Sequence, residues 1–125
     1  MTSYDALNYD PPAPIAEVAL RDLATGAMVA NVLLLIDTGA DTTLLPRIAV
    51  ERLGVKPVSN IKCQLQGFDG KRTIAQAVDV DMIFLKKAYR GRYLLIDDDQ
   101  GVLGRDVLAD LVLLLDGPGQ GWSTP

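Results

Sequence analysis

Five aliphatic residues in a row, Val32 to Ile36, run without a spacer into Asp37-Thr38-Gly39. That junction constrains the fold more than any other feature of the chain. A continuous apolar run of this length reads as a strand covered on both faces, and it is far short of the roughly 20 residues that span a bilayer. A small hydroxyl residue and a glycine after the acid permit a sharp turn. The strand therefore carries a carboxyl group towards the interior, where an ionised acid needs hydrogen bonds, an opposite charge or a proton to be tolerated. The amides of Gly39 and Ala40 are the nearest expected donors. Carboxyls held in this way are enriched at functional sites.

The rest of the chain is punctuated in the same short style. Ile15–Arg21 and Ala27–Ile36 flank Asp22-Leu23-Ala24-Thr25-Gly26 and predict a hairpin. Pro46 can open a helix and Gly54 can close it, so residues 46–53 predict two turns, with Ile48, Ala49 and Leu53 available to bury. Strands are expected over 58–66 and 71–85, joined by the tip Gly67-Phe68-Asp69-Gly70, where Asp-Gly is a strong turn signal. Residues 86–92 read as a polar loop, 93–96 as a strand and Asp97–Gln100 as a solvated acidic turn. A short helix is expected to begin near Arg105, and Leu111–Leu115 to form a last buried strand. Short strands with frequent turns predict an all-β, mainly β domain with one or two short helices. The expected organisation is an N-terminal arm over 1–14, one domain over 15–116 and a flexible, glycine-rich tail over 117–125, where Trp122 is either an anchor or part of a loose end.

Composition narrows the chemistry. A chain of 125 residues supports one domain that buries about two thirds of its unfolded surface. It has no histidine, which excludes Ser-His-Asp and Cys-His catalysis and histidine zinc sites. Cys63 is the only cysteine, so intrachain disulfides, four-cysteine zinc sites and CxxC redox centres are excluded as well. No metal site and no cofactor are expected. Twelve Lys+Arg stand against sixteen Asp+Glu, for a net charge of −4, and no basic run exceeds two residues, so neither nucleic acid nor membrane is an expected partner. A cytoplasmic location is the expectation from these features.

Downstream of Asp37, two apolar residues and a glycine, Val102-Leu103-Gly104, precede the expected short helix. With LLLIDTGADTTLLP at 33–46, GVLGRDVL at 101–108 and the tip QGFDGK at 66–71 between them, the chain resembles the retropepsins, the retroviral-type aspartic proteases and their cellular and bacterial relatives. The resemblance spans roughly 15–116 and implies a closed-barrel acid-protease fold, a homodimer, and hydrolysis of peptide bonds in peptide or protein substrates. It makes Asp37 the catalytic aspartate, one half of a pair of carboxyls that share a proton across the dimer. It makes Thr38 the hydroxyl that locks the two halves, Gly39 a substrate-backbone contact, Ala40 part of the turn, and Asp41 and Arg105 an ion pair beside the site. Gly104 supports the turn from below, and Gly67, Phe68, Asp69 and Gly70 form the flap that closes over substrate. The chain holds a single Asp-Thr-Gly, since Asp69-Gly70 and Asp116-Gly117 lack the hydroxyl residue. One chain thus supplies half a dyad. A retropepsin-like dimerisation or peptide-binding module without useful turnover is the alternative.

Overall fold

The computed structural model describes residues 1–58, 62–66, 70 and 72–125. Six strands close a barrel: β2 (Ile15–Arg21), β3 (Met28–Ile36), β4 (Leu44–Pro46), β6 (Arg72–Phe84), β7 (Lys87–Ile96) and β8 (Gly101–Leu103). They run in the order β2-β3-β8-β4-β7-β6, and β6 returns to pair with β2. The mainly β reading therefore holds, and so does the closed barrel. Inward positions along the strands, among them Val18, Leu20, Val32, Leu34, Val80, Met82 and Leu103, meet in one core. Among the described residues no helix is long and apolar enough to cross a membrane.

The closing seam is short, Ala19↔Ile83, Leu20↔Met82 and Arg21↔Asp81. It ends on a buried acid. Asp81 is 1% exposed, and its two carboxylate oxygens accept from Arg21 Nη2 at 2.9 Å and Arg90 Nε at 3.1 Å. The hydrogen bond from Arg21, then that from Arg90, holds its pKa below the ordinary carboxylate value against the opposing effect of burial.

Helix α1 (Arg47–Leu53) follows Pro46 and ends at Gly54, whose φ of 84° is the left-handed conformation of a helix C-terminus. Its buried residues are Ala49, Val50 and Leu53, spaced to share one face. Ile48, expected inside, falls off that face and is exposed. The polar loop expected over 86–92 is replaced by strand. β6 turns into β7 through Leu85 and Lys86 alone, both at positive φ (51° and 64°), as a two-residue hairpin turn requires. Lys87, Arg90 and Arg92 are exposed while Tyr89 and Tyr93 are buried, so charged residues that resemble a loop form the wet side of a strand.

Among the described residues, strand β5 (Lys62–Gln66) pairs only with the first part of β6, from Lys62↔Gln76 to Gln66↔Arg72, as the expected hairpin. Of its tip, Gly67, Phe68 and Asp69 lie outside the described residues, and Gly70 is an exposed bend at φ 79°.

The chain ends meet in a second sheet, β1 (Thr2–Ser3), β10 (Gly121–Ser123) and β9 (Leu114–Asp116), with β10 in the middle. The glycine-rich end read as a loose tail thus contains a strand paired on both sides. Trp122 is 4% exposed, donates from its indole to the Ile15 carbonyl at 2.9 Å, and has its ring centroid 5.9 Å from that of Phe84. Burial of one large aromatic with its N–H satisfied outweighs the glycine content around it. The arm is tied down as well. Asp5 accepts from the backbone of Leu7 and Asn8 and the side chains of Asn8 and Gln100, and Tyr9 donates to Gln100. The Asn8 hydrogen bonds, foremost, lower the Asp5 pKa to about 2. The aliphatic run 111–115 departs from expectation: only its end is strand, and Val112, Leu114 and Leu115 face solvent.

Candidate active site

β3 and β8 run parallel through Leu34↔Gly101, Leu35↔Val102 and Ile36↔Leu103. Where they end, the Asp37 amide donates to the Leu103 carbonyl at 3.0 Å and the chain turns. Asp37 Oδ1 accepts from the Gly39 amide at 2.8 Å. The Ala40 amide goes instead to the Asp37 backbone carbonyl, 3.2 Å away, so one of the two donors expected for the carboxylate is engaged elsewhere. The side chain is half-buried rather than interior, and Thr38 and Gly39 beside it are exposed. In a single chain the turn therefore presents its acid at the surface.

The turn is braced from below by residues 104–106. The Arg105 amide donates to the Ala40 carbonyl at 2.8 Å. Gly104 is required for this approach: a Cβ there would lie 2.7 Å from the Thr42 carbonyl carbon, closer than real contacts allow. Helix α2 (Arg105–Leu108) begins at this point. Arg105 Nη1 reaches back to the Thr38 carbonyl at 2.6 Å. No ion pair joins Arg105 to Asp41 among the described residues, and Asp41 is exposed. The arginine expected to pair with an acid instead tethers the Asp37 turn through its backbone, because the Thr38 carbonyl lies within reach of the guanidinium.

A second tether had no counterpart in the sequence reading. Thr43 is fully buried; its hydroxyl donates to Asp106 Oδ1 at 2.6 Å and accepts from the Gly104 amide at 3.0 Å, while its own amide donates to Asp106 Oδ2 at 3.0 Å. Three hydrogen bonds thus lock the descending arm of the turn to the start of α2. The only sequence trace of this lock is a threonine at the head of an apolar stretch, Thr43-Leu44-Leu45, and an acid just after Gly104-Arg105.

Asp37, Thr38, Gly39, Ala40, Gly104 and Arg105 therefore come together in one braced turn, with Asp41 at its exposed margin. Among the described residues no cluster of three or more Cys, Asp or Glu side chains is placed to hold a metal.

A braced Asp-Thr-Gly turn at the end of a closed six-strand barrel defines a class, and comparison with known proteins agrees. Residues 16–107 match the family model described as "Aspartyl protease". The chain belongs to the aspartyl protease family, as a retropepsin-like member. Among solved structures, 209 chains are similar. One is EIAV protease complexed with the inhibitor HBY-793, at 24% identity and a TM-score of 0.55, with 85% of this chain and 91% of that chain covered. At that identity the likeness concerns the fold. No curated protein matches the chain.

Proposed function

We propose that this protein is an aspartic endopeptidase whose site is completed when two copies bring their Asp37 carboxyls together. Carboxyls about 3 Å apart cannot both ionise, so the pair holds one shared proton. The charged member takes a proton from water, and the protonated member donates to the scissile carbonyl as that water attacks. No acyl-enzyme forms, which suits a chain without histidine.

The observation that carries this reading is the state of Asp37. It stands on a turn braced by Gly104, Arg105 and the Thr43–Asp106 lock, yet its carboxylate receives a single hydrogen bond among the described residues. A rigidly placed carboxyl with spare acceptor capacity is equipped to meet a proton-sharing mate and a water. The Thr38 side chain is exposed and makes no hydrogen bond among the described residues, which suits a hydroxyl that reaches across to the other half. Gly39 offers its carbonyl to the substrate backbone.

The test is peptide-library cleavage from acid to neutral pH. The wild-type chain is expected to cut and Asp37→Asn to lose at least about 1,000-fold in kcat/KM with its fold unchanged. Retained cleavage in Asp37→Asn refutes the reading. A peptide-binding module without turnover is the second reading, favoured by the missing Asp41–Arg105 pair. A dimer that binds peptide and cuts at no pH supports it.

A further inference from the structure

The outer face of β2, β6 and β7 carries two charged rows. Arg21 lies opposite Asp81 in the closing seam, and Asp81 lies opposite Arg90 in the β6–β7 hairpin, so the three side chains share one face. Leu20, Met82 and Tyr89, each one position along, belong to the core. Asp79 opposite Arg92 forms the next row of the same face. The two rows settle their charges differently. Arg92 meets Asp79 as a fork, Nε to Oδ1 at 2.7 Å and Nη2 to Oδ2 at 2.9 Å, one cation on one acid. Asp81 is shared by two cations, each donating a single N–H to it. One fork satisfies an acid, so the second arginine exceeds what the seam needs, and one positive charge is left over. Neither Arg21 nor Arg90 makes another hydrogen bond among the described residues, and their side chains are 38% and 75% exposed. Each keeps the greater part of its N–H donors.

We propose that the Arg21–Asp81–Arg90 row is a docking surface for an acidic segment of another polypeptide, whose carboxylates accept from the outer N–H groups of both guanidiniums. The buried carboxylate of Asp81 holds the two arginines side by side before anything binds, which lowers the entropy lost on binding. Beside Arg90 on the same face stands Ala88, small and exposed, so access to the guanidinium is open. Lys86 and Lys87, exposed at the tip of the same hairpin, add to the positive field. Charge complementarity selects an anionic occupant. A nucleic acid is disfavoured: its strand needs a track of cations, whereas here Glu17 and Asp79 are exposed on either side of the row and the chain carries a net charge of −4. A short acidic peptide needs only the two guanidiniums. The surface is remote from the Asp37 turn. Arg21 lies opposite Met28, at the far end of β3 from Ile36 and roughly 25 Å away along the strand. The inference therefore does not rest on the proposed peptidase.

Fluorescence anisotropy on the full-length chain tests it, with labelled octaglutamate as the probe and octaglutamine as its neutral control. The wild-type chain is expected to bind octaglutamate and not octaglutamine, and to lose most of that binding between low salt and about 0.3 M NaCl. Arg90→Gln is expected to weaken binding at least about 10-fold, and Arg90→Lys to recover part of it. Because Arg90→Gln also removes a partner of Asp81, Ala88→Glu provides a second variant; it places a like charge beside Arg90, leaves both arginines on Asp81, and is expected to weaken binding as much, with an unchanged circular dichroism spectrum. Arg52→Gln, an exposed cation on α1, and Asp37→Asn are expected to bind as wild type does. No binding of octaglutamate, equal binding in Ala88→Glu, loss in Asp37→Asn, or tighter binding of a single-stranded oligonucleotide of the same charge overturns the proposal. The two readings fail separately. A chain that docks octaglutamate through Arg90 and cuts no peptide keeps this surface and refutes the peptidase, and Asp37-dependent cleavage by a chain that does not bind octaglutamate does the reverse.

Discussion

Asp81 and Asp37 are both acids on or just beyond strands of one barrel, and their surroundings differ in a way that separates structure from function. Asp81 closes the β2–β6 seam and is satisfied by its own chain, with one arginine on each carboxylate oxygen. Asp37 follows β3 half-buried, with one amide on its carboxylate and no other hydrogen bond to it among the described residues. A buried charge is kept only when it is paired. A charge held in place by a braced backbone and left under-satisfied is available to another molecule. On the proposed function, the contrast teaches that burial alone does not mark the working acid; rigid placement with spare hydrogen-bonding capacity among the described residues does.

The largest expected effects come from exchanging the fates of the two acids. Asp37→Asn is expected to remove cleavage and leave the melting temperature within about 2 °C, since a half-exposed side chain with one hydrogen bond contributes little. Asp81→Ala is expected to cost about 3 kcal/mol and lower the melting temperature by roughly 10 °C, while kcat per folded dimer holds. Calorimetry with an active-site-normalised assay checks both, and the contrast breaks if Asp81→Ala melts like wild type. Next comes Thr43→Val, which leaves the buried Gly104 amide unpaired. A loss of about 2 kcal/mol is expected from urea unfolding, with a fall in kcat rather than a rise in KM.

The pH dependence is smaller. The folded-state pKa of Asp81 lies below its unfolded value, chiefly because of Arg21. Its contribution to stability is therefore fully present above the unfolded carboxylate pKa, near 3.9, and is lost as pH falls through the folded one. Urea titrations at stepped pH are expected to show a shallower acid slope in Asp81→Asn than in wild type below about pH 4. The smallest effect is expected at the margin of the turn. Asp41→Asn is expected to change stability by less than about 0.5 kcal/mol, because no ion pair to Arg105 exists in the chain to be lost. A larger loss in chemical denaturation shows that the pair forms in solution.

Much of the fold was legible because its signals are local. Pro46 and Gly54 bracket α1, Asp22–Gly26 turns β2 into β3, and Asp37-Thr38-Gly39 with Val102-Leu103-Gly104 marks the two elements that pack together at the site. β7 was misread because its turn, Leu85-Lys86, has no turn residue, and because outward Lys and Arg on a strand look the same as a solvated loop. Trp122 was undecided because a buried indole and a loose one have the same neighbours in sequence. The Thr43–Asp106 lock and the Arg105–Thr38 tether join residues more than 60 positions apart, with no spacing rule to reveal them.

The sequence by itself determined that the chain carries one Asp-Thr-Gly, no histidine and no second Asp-Thr/Ser-Gly. On the proposed mechanism, one such motif supplies half of a two-carboxyl site, and any chemistry of this chain runs without an imidazole. Those are facts of residue identity. Only the tertiary structure decided which groups hold Asp37 in place, that the chain ends fold back on their own subunit, and that Val112, Leu114 and Leu115 face outward. An apolar run states that it must be covered. What covers it depends on which surfaces the barrel brings alongside, and that is set by long-range pairing rather than by any local preference of the chain.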